Sequence, residues 1–172
     1  MRHIQPGSRL PRVRLAELVD GEMRVCETSA LFKEKRSAIV GIPGVFSPVC
    51  SRVHLPQFVT LAPAMLASGF DLVVCIAPDD PWSLSAGARQ IDPQGHLRFL
   101  SDGNLDFGRA CRLTSKQPDL FMGECLDRFS MIVVDGVVEK ISVETSILEV
   151  TCSAAETLVA AAGKRPESLH RI

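Results

Sequence analysis

The alternation of apolar and polar positions divides the chain into short runs of two kinds. Period and punctuation predict strands at 12–15, 37–42, 71–77, 96–101, 129–135 and 137–143. The last two flank Asp135-Gly136, a strong two-residue hairpin signal. Helical spacing predicts helices at 29–33, 48–67, 84–90, 105–111 and 153–162, with Thr28, Ser47, Asn104 and Ser153 as caps. Ser153-Ala154-Ala155-Glu156 has the form of a capping box. In the longest helix Val53, Leu55, Phe58, Val59, Leu61, Met65 and Leu66 make an apolar face, and Pro56 and Pro63 are expected to bend it. Strand and helix alternate first, and a hairpin and a helix close the chain. This order predicts an α/β fold with a central mixed sheet flanked by helices on both faces. One domain, 1–163, takes in the whole pattern, and the polar tail 164–172 is expected to fray.

At 172 residues the chain buries a core without metal or disulfide staples. With 46% hydrophobic residues, 23% charged residues and a net charge of -1, it is composed like an ordinary soluble protein. A global field for nucleic acid or a membrane surface is excluded, and no apolar run reaches bilayer length. The first sixteen residues hold Arg2, Arg9, Arg12 and Arg14 and no acid, which raises a transit peptide. Pro6 and Pro11 oppose an amphipathic helix, so the reading is a basic arm entering the first strand. No secretory signal is seen, so a reducing compartment, the cytoplasm, is expected.

Six cysteines stand at 26, 50, 75, 111, 125 and 152, and none is paired at C-x-x-C spacing. His3, His96 and His170 are scattered, so neither a metal site nor a cofactor is expected. In a reducing compartment any disulfide is transient and catalytic, which makes each thiol a question of its own. Within PGVFSPVC, Ser47-Pro48 reads as an N-cap followed by proline at the first helical position, which puts Cys50 in the first turn. Unpaired N–H groups and the positive end of the helix dipole favour the thiolate there. On spacing alone a small buried hydrophobe remains an equal reading. A phosphate loop at residues 41–44 is weak, because neither Gly-Lys-Ser/Thr nor G-x-G-x-x-G is present.

Residues 41–59, GIPGVFSPVCSRVHLPQFV, resemble the active-site segment of the peroxiredoxins, whose motif P-x-x-x-[TS]-x-x-C is met by Pro43, Ser47 and Cys50. The resemblance is greatest to the type-5 branch, the atypical two-cysteine or type II redoxins. It continues through DLVVCIAPDDPW, FLSDGNLDFGRA and DRFSMIVVDGVVEKISVE, in order and over nearly the whole chain. It implies a thioredoxin-like fold and a thiol peroxidase reducing hydrogen peroxide and organic hydroperoxides. Thioredoxin, or glutathione with glutaredoxin, is the implied reductant, and a homodimer the implied assembly. A redox-sensing or holdase-like interaction protein is the alternative.

By that resemblance Cys50 is the peroxidatic cysteine, Ser47 its hydroxyl partner, Pro43 its shield (with Phe46 as a further wall) and Arg128 its cation. Val49 and Gly44 join Arg128 in contacting peroxide. Cys152, in Thr151-Cys152-Ser153, matches the resolving cysteine. Cys75 is a rival, yet it sits in the apolar run LVVCIA and reads as core. Cys26, Cys111 and Cys125 match no role, and Glu124 and Asp127 near Cys125 disfavour its thiolate unless Arg128 offsets them. His54 is either an orienting group or a structural histidine. Asp79-Asp80-Pro81-Trp82 departs from the usual N-D-P-F turn, and Trp82 reads as a packed surface anchor or a dimer contact.

Overall fold

The computed structural model describes residues 2–164 and 166–169. In chain order it holds β1 (Arg14–Val19), β2 (Glu22–Glu27), α1 (Thr28–Leu31), β3 (Arg36–Gly41), α2 (Leu55–Ala67), β4 (Leu72–Ala77), α3 (Pro81–Ile91) and β5 (Arg98–Ser101). There follow α4 (Asp106–Cys111), β6 (Thr114–Gln117), β7 (Gly123–Leu126), β8 (Phe129–Val134), β9 (Val137–Val143) and α5 (Ala155–Ala161). Seven strands form one mixed sheet in the order β2-β1-β5-β4-β3-β8-β9, and β6 and β7 pair as a separate arm.

Strand β3 is buried at every position because it lies between parallel β4 and antiparallel β8 with helices on both faces. Ala38 and Val40 join the core formed with Leu55, Phe58, Ala62 and Met65 of α2 and Leu158 of α5. Ile39 faces the other core, with Leu31 of α1 and Phe107 of α4. The mixed sheet with helices on both faces is as expected.

Two hairpins were not anticipated. Asp20 and Gly21 both adopt positive φ, 53° and 81°, the backbone of a tight hairpin turn, and join β1 to β2. Their Asp-Gly pair is the signal already used at Asp135-Gly136, so it was available in the sequence. The arm of β6 and β7 carries no alternating apolar pattern and was not readable.

All four expected caps differ. Thr28 donates to the Pro11 carbonyl, and the Ser47 hydroxyl turns to Cys50. The N–H groups of Phe107 and Gly108 go to Asp102 rather than Asn104, and Ser153 turns to Glu144. Helix α3 starts three residues before its expected place, capped by Asp80, which accepts from the N–H groups of Trp82 and Ser83. In each case a short polar side chain had several acceptors or donors in reach, and packing chose among them. Of the tail that was expected to fray, 167–169 form a turn with Leu169 buried, while 165 and 170–172, His170 included, lie outside the described residues.

Gly41 pairs with Phe129 across β3 and β8, and a Cβ there would come 2.0 Å from the ring. Gly41→Ala therefore forces the central strands apart, and urea titration is expected to show a loss of about 1–3 kcal/mol or more. An unchanged midpoint would contradict that packing.

Candidate active site

The segment after β3 turns through Pro43, which is buried, and becomes helical at Pro48. Its turn is fixed by Asp79 at the end of β4, whose carboxylate accepts from the Val45 N–H at 2.9 Å. Burial pushes the Asp79 carboxyl up, with that N–H offsetting part of the effect. Residues Cys50–His54 form a π-helical turn, closed by the Leu55 N–H on the Cys50 carbonyl, before α2 continues. Pro56, which has no N–H to give, directly follows the widened turn. Val53 and Leu66 do not join the apolar face; they are 44% and 37% exposed, and His54 is turned inward instead.

Cys50 is thus fully buried at the helix start, and two donors converge on its sulfur. Ser47, whose carbonyl accepts the first helical N–H from Ser51, donates its hydroxyl to the Cys50 Sγ at 2.7 Å. Arg128, immediately before β8, donates from Nη2 to the same sulfur at 3.2 Å. Its Nη1 donates to His54 Nδ1 at 3.1 Å, and Nε and Nη2 donate to the Ile147 carbonyl at 2.9 and 2.6 Å. The guanidinium is 1% exposed, so its orientation is set by these partners and not by water.

Because an arginine N–H can only donate, His54 Nδ1 is an acceptor and the ring proton sits on Nε2, which donates to the Ser153 carbonyl at 2.9 Å. Burial, with the Arg128 charge adding to it against the Ser153 carbonyl, lowers the His54 pKa to about 4. His54 is therefore a neutral orienting group for Arg128, as well as a packed one: its ring meets Phe58 edge-on at 5.5 Å.

The other five cysteines are held as thiols. Burial is the first cause in each, raising Cys111 to about 12, Cys125 to about 11, and Cys26, Cys75 and Cys152 above the ordinary value. Asp127 and Glu124 add to the shift at Cys125, as their sequence positions suggested. Cys75 is wholly buried in the core. Cys152 is exposed on the segment between β9 and α5, with its thiol on the Val143 carbonyl at 3.5 Å. Cys50 and Cys152 are both free, so the reduced form is the one seen.

Phe46 does not wall the thiol as expected, being 54% exposed, and of the two readings of Trp82 the packed anchor is removed, since the ring is 61% exposed. Gly44 lies beside Cys50's turn, accepting the Ser47 N–H, with Met122 close over it. Four contributors escaped sequence reading: Asp79, Ile147, Ser153 and Glu144. Two of them act through backbone carbonyls, which leave no trace in residue type.

The chain is similar to known proteins over most of its length. Residues 5–159 match the Redoxin family. Peroxiredoxin-2E-2, chloroplastic, of Oryza sativa subsp. japonica is 31% identical over 166 residues, covering 91% of this chain and 72% of that protein. The hybrid peroxiredoxin hyPrx5 of Haemophilus influenzae is 30% identical over 138 residues, covering 80% of this chain, which spans 57% of that longer relative. Among solved structures, reduced Prx3 in complex with hydrogen peroxide from Vibrio vulnificus superposes with a TM-score of 0.86 at 30% identity, covering 92% of this chain and 98% of that one.

The buried neutral histidine makes stability depend on pH. A folded pKa of about 4 against an ordinary 6.5 means that the unfolded chain takes up the proton first. The contribution is complete above 6.5 and is lost as pH falls toward 4, on the order of 3 kcal/mol. Unfolding by urea across this range is expected to show that slope in the wild type and a flatter one in His54→Gln. Equal slopes would contradict a buried neutral ring.

Proposed function

Because this chain belongs to the Redoxin family and its relatives there are peroxiredoxins, it is a thiol peroxidase with the thioredoxin-like peroxiredoxin fold, and we propose that Cys50 is the sulfur that attacks peroxide. The observation that carries this assignment is the convergence of the Ser47 hydroxyl and the Arg128 guanidinium on the Cys50 Sγ, at 2.7 and 3.2 Å. Both are donors, so together they complement an anionic sulfur and, later, the oxygens on which charge develops.

In the reaction the Cys50 thiolate forms an S–O bond to one peroxide oxygen as the O–O bond breaks. The departing oxygen takes a proton and leaves as water or alcohol. Sulfur is oxidised by two electrons to sulfenic acid and peroxide is reduced by two. Arg128 stabilises the charge passing to the leaving oxygen, while Ser47 donates to sulfur and then to the bound oxygen. Gly44 and the Val49 backbone face the peroxide beside Pro43. Cys152 then attacks the Cys50 sulfur, forming an S–S bond as hydroxide leaves and is protonated to water. That step requires movement, because Cys50 is buried and Cys152 exposed, and a bridge needs the two Cα atoms within about 7 Å.

Thioredoxin, or glutathione with glutaredoxin, would return the electrons by thiol exchange in a reducing compartment, the cytoplasm, where six free thiols persist. The assembly proposed is a homodimer. Support comes from large apolar side chains left open to solvent: Phe46, Trp82, and Leu120 and Phe121 on the turn of the β6–β7 arm, Phe121 being 98% exposed. The redox-sensing or holdase alternative is not favoured, since the relatives are peroxidases.

Single-turnover stopped-flow kinetics test the assignment. Cys50→Ser is expected to abolish peroxide reduction, Arg128→Met to slow it by about 10²–10³-fold and Ser47→Ala by about tenfold. Cys152→Ser should keep the first turnover; mass mapping that finds oxidation elsewhere than Cys50 would overturn the site. For the dimer, sedimentation of Phe121→Ser should show a lighter species than the wild type.

A further inference from the structure

Glu144 is a nearly buried carboxylate that takes no part in the chemistry above, yet it is the most heavily bonded acid around the site. It accepts the Thr151 N–H at 2.6 Å, the Thr151 hydroxyl at 2.7 Å, the Ser153 N–H at 2.8 Å and the Ser153 hydroxyl at 2.7 Å. These donors belong to the two residues that flank Cys152. Its own N–H donates to the Arg128 carbonyl at 2.9 Å, so the backbone that carries the carboxylate is tied to the backbone of Arg128. Although burial acts to raise it, the four donors together lower the Glu144 pKa to about 2, so it is charged throughout the neutral range.

The segment 144–153 is otherwise a strap without regular structure, held at its middle by the Ile147 carbonyl on Arg128 and near its end by the Ser153 carbonyl on His54. One continuous chain of hydrogen bonds therefore runs from the Cys50 sulfur through Arg128, His54 and Ser153 to Glu144. Within it, the Cys152 thiol points back onto the Val143 carbonyl of β9.

We propose that Glu144 is a positioning residue, a latch that holds Cys152 on β9 in the reduced enzyme and sets the rate at which it reaches oxidised Cys50. The inference rests on the reading of Cys152 as the resolving cysteine and adds what governs it. Releasing four short bonds is the barrier that the strap crosses before the Cys152 thiolate forms the S–S bond, the Cys50 S–O bond breaks and water leaves. While the latch holds, Cys50 stays in its cradle and remains open to a second peroxide, so latch strength also sets how readily sulfenic acid goes on to sulfinic acid. The Glu144 charge, after burial, is what keeps the Cys152 thiol protonated in the closed strap.

Two variants separate the elements of this claim. Glu144→Gln keeps an oxygen for the N–H donors and presents an amide that the Thr151 hydroxyl can accept from, so geometry persists and charge is lost. Glu144→Ala removes the latch. In the reduced protein, alkylation of Cys152 by iodoacetamide at mildly alkaline pH, read by peptide mass, is expected to be several-fold faster in both. After one equivalent of hydrogen peroxide, the Cys50–Cys152 link is expected to appear about tenfold faster in Glu144→Ala, with less sulfinic acid at Cys50 under excess peroxide. A purely structural glutamate would lower stability without moving alkylation in Glu144→Gln, which reports if the alanine variant fails to fold. A link formed at one rate in all three proteins overturns the latch alone. A link absent from all three, while alkylation responds, overturns the resolving role of Cys152 and the gating with it.

Discussion

The contact between the Arg128 guanidinium and the Cys50 sulfur is the interaction around which the site is arranged. Taking a guanidinium out of water costs several kcal/mol unless its donors are met. Here they are met by a carbonyl, an imidazole nitrogen and a sulfur, and among the described residues no carboxylate forms an ion pair with it. The sulfur is thus the group at which negative charge is best compensated. That is what a nucleophilic cysteine requires, and it is why the other five thiols, set among core residues or acids, are poor rivals.

Every element near the site can be understood as bringing one partner to that cation. Strand β8 sets its backbone, and β3, paired with β8 in register, carries the chain into the turn that ends at Ser47. Cys50 and His54, four apart, lie on one helix face and reach the same guanidinium one turn apart. The strap beyond β9 meets it through the Ile147 carbonyl, and Glu144 fastens the same strap on either side of Cys152. The burial of Cys50 and the fastening of the segment that bears Cys152 are consequently two properties of one hydrogen-bond network.

The sequence carried the site unevenly. Proline at a helix start made the place of Cys50 legible, in the first helical turn, but the roles of Cys50, Ser47 and Arg128 were legible only through likeness to a known segment, and the local reading of Ser47 as a cap was wrong because its hydroxyl turns to the sulfur. His54 was left between two readings, and the tertiary structure joins them: it is packed and it orients Arg128. Ile147 was invisible, since its contribution is a carbonyl oxygen that any residue has. Glu144 carried no signal in the sequence, where it directly follows a strand. Its importance depends on donors seven and nine residues away, folded back onto it.

The same division runs through the fold. Local terms, namely apolar period, Asp-Gly turns and the Ser-Pro start of a helix, determined the class of fold, the mixed sheet and the helix on which Cys50 sits, because they act within a few residues. Which polar group caps which helix, where the helix widens and how the strap fastens were decided only in three dimensions. Those choices are competitions between donors and acceptors of similar strength, and distance in the folded chain settles them.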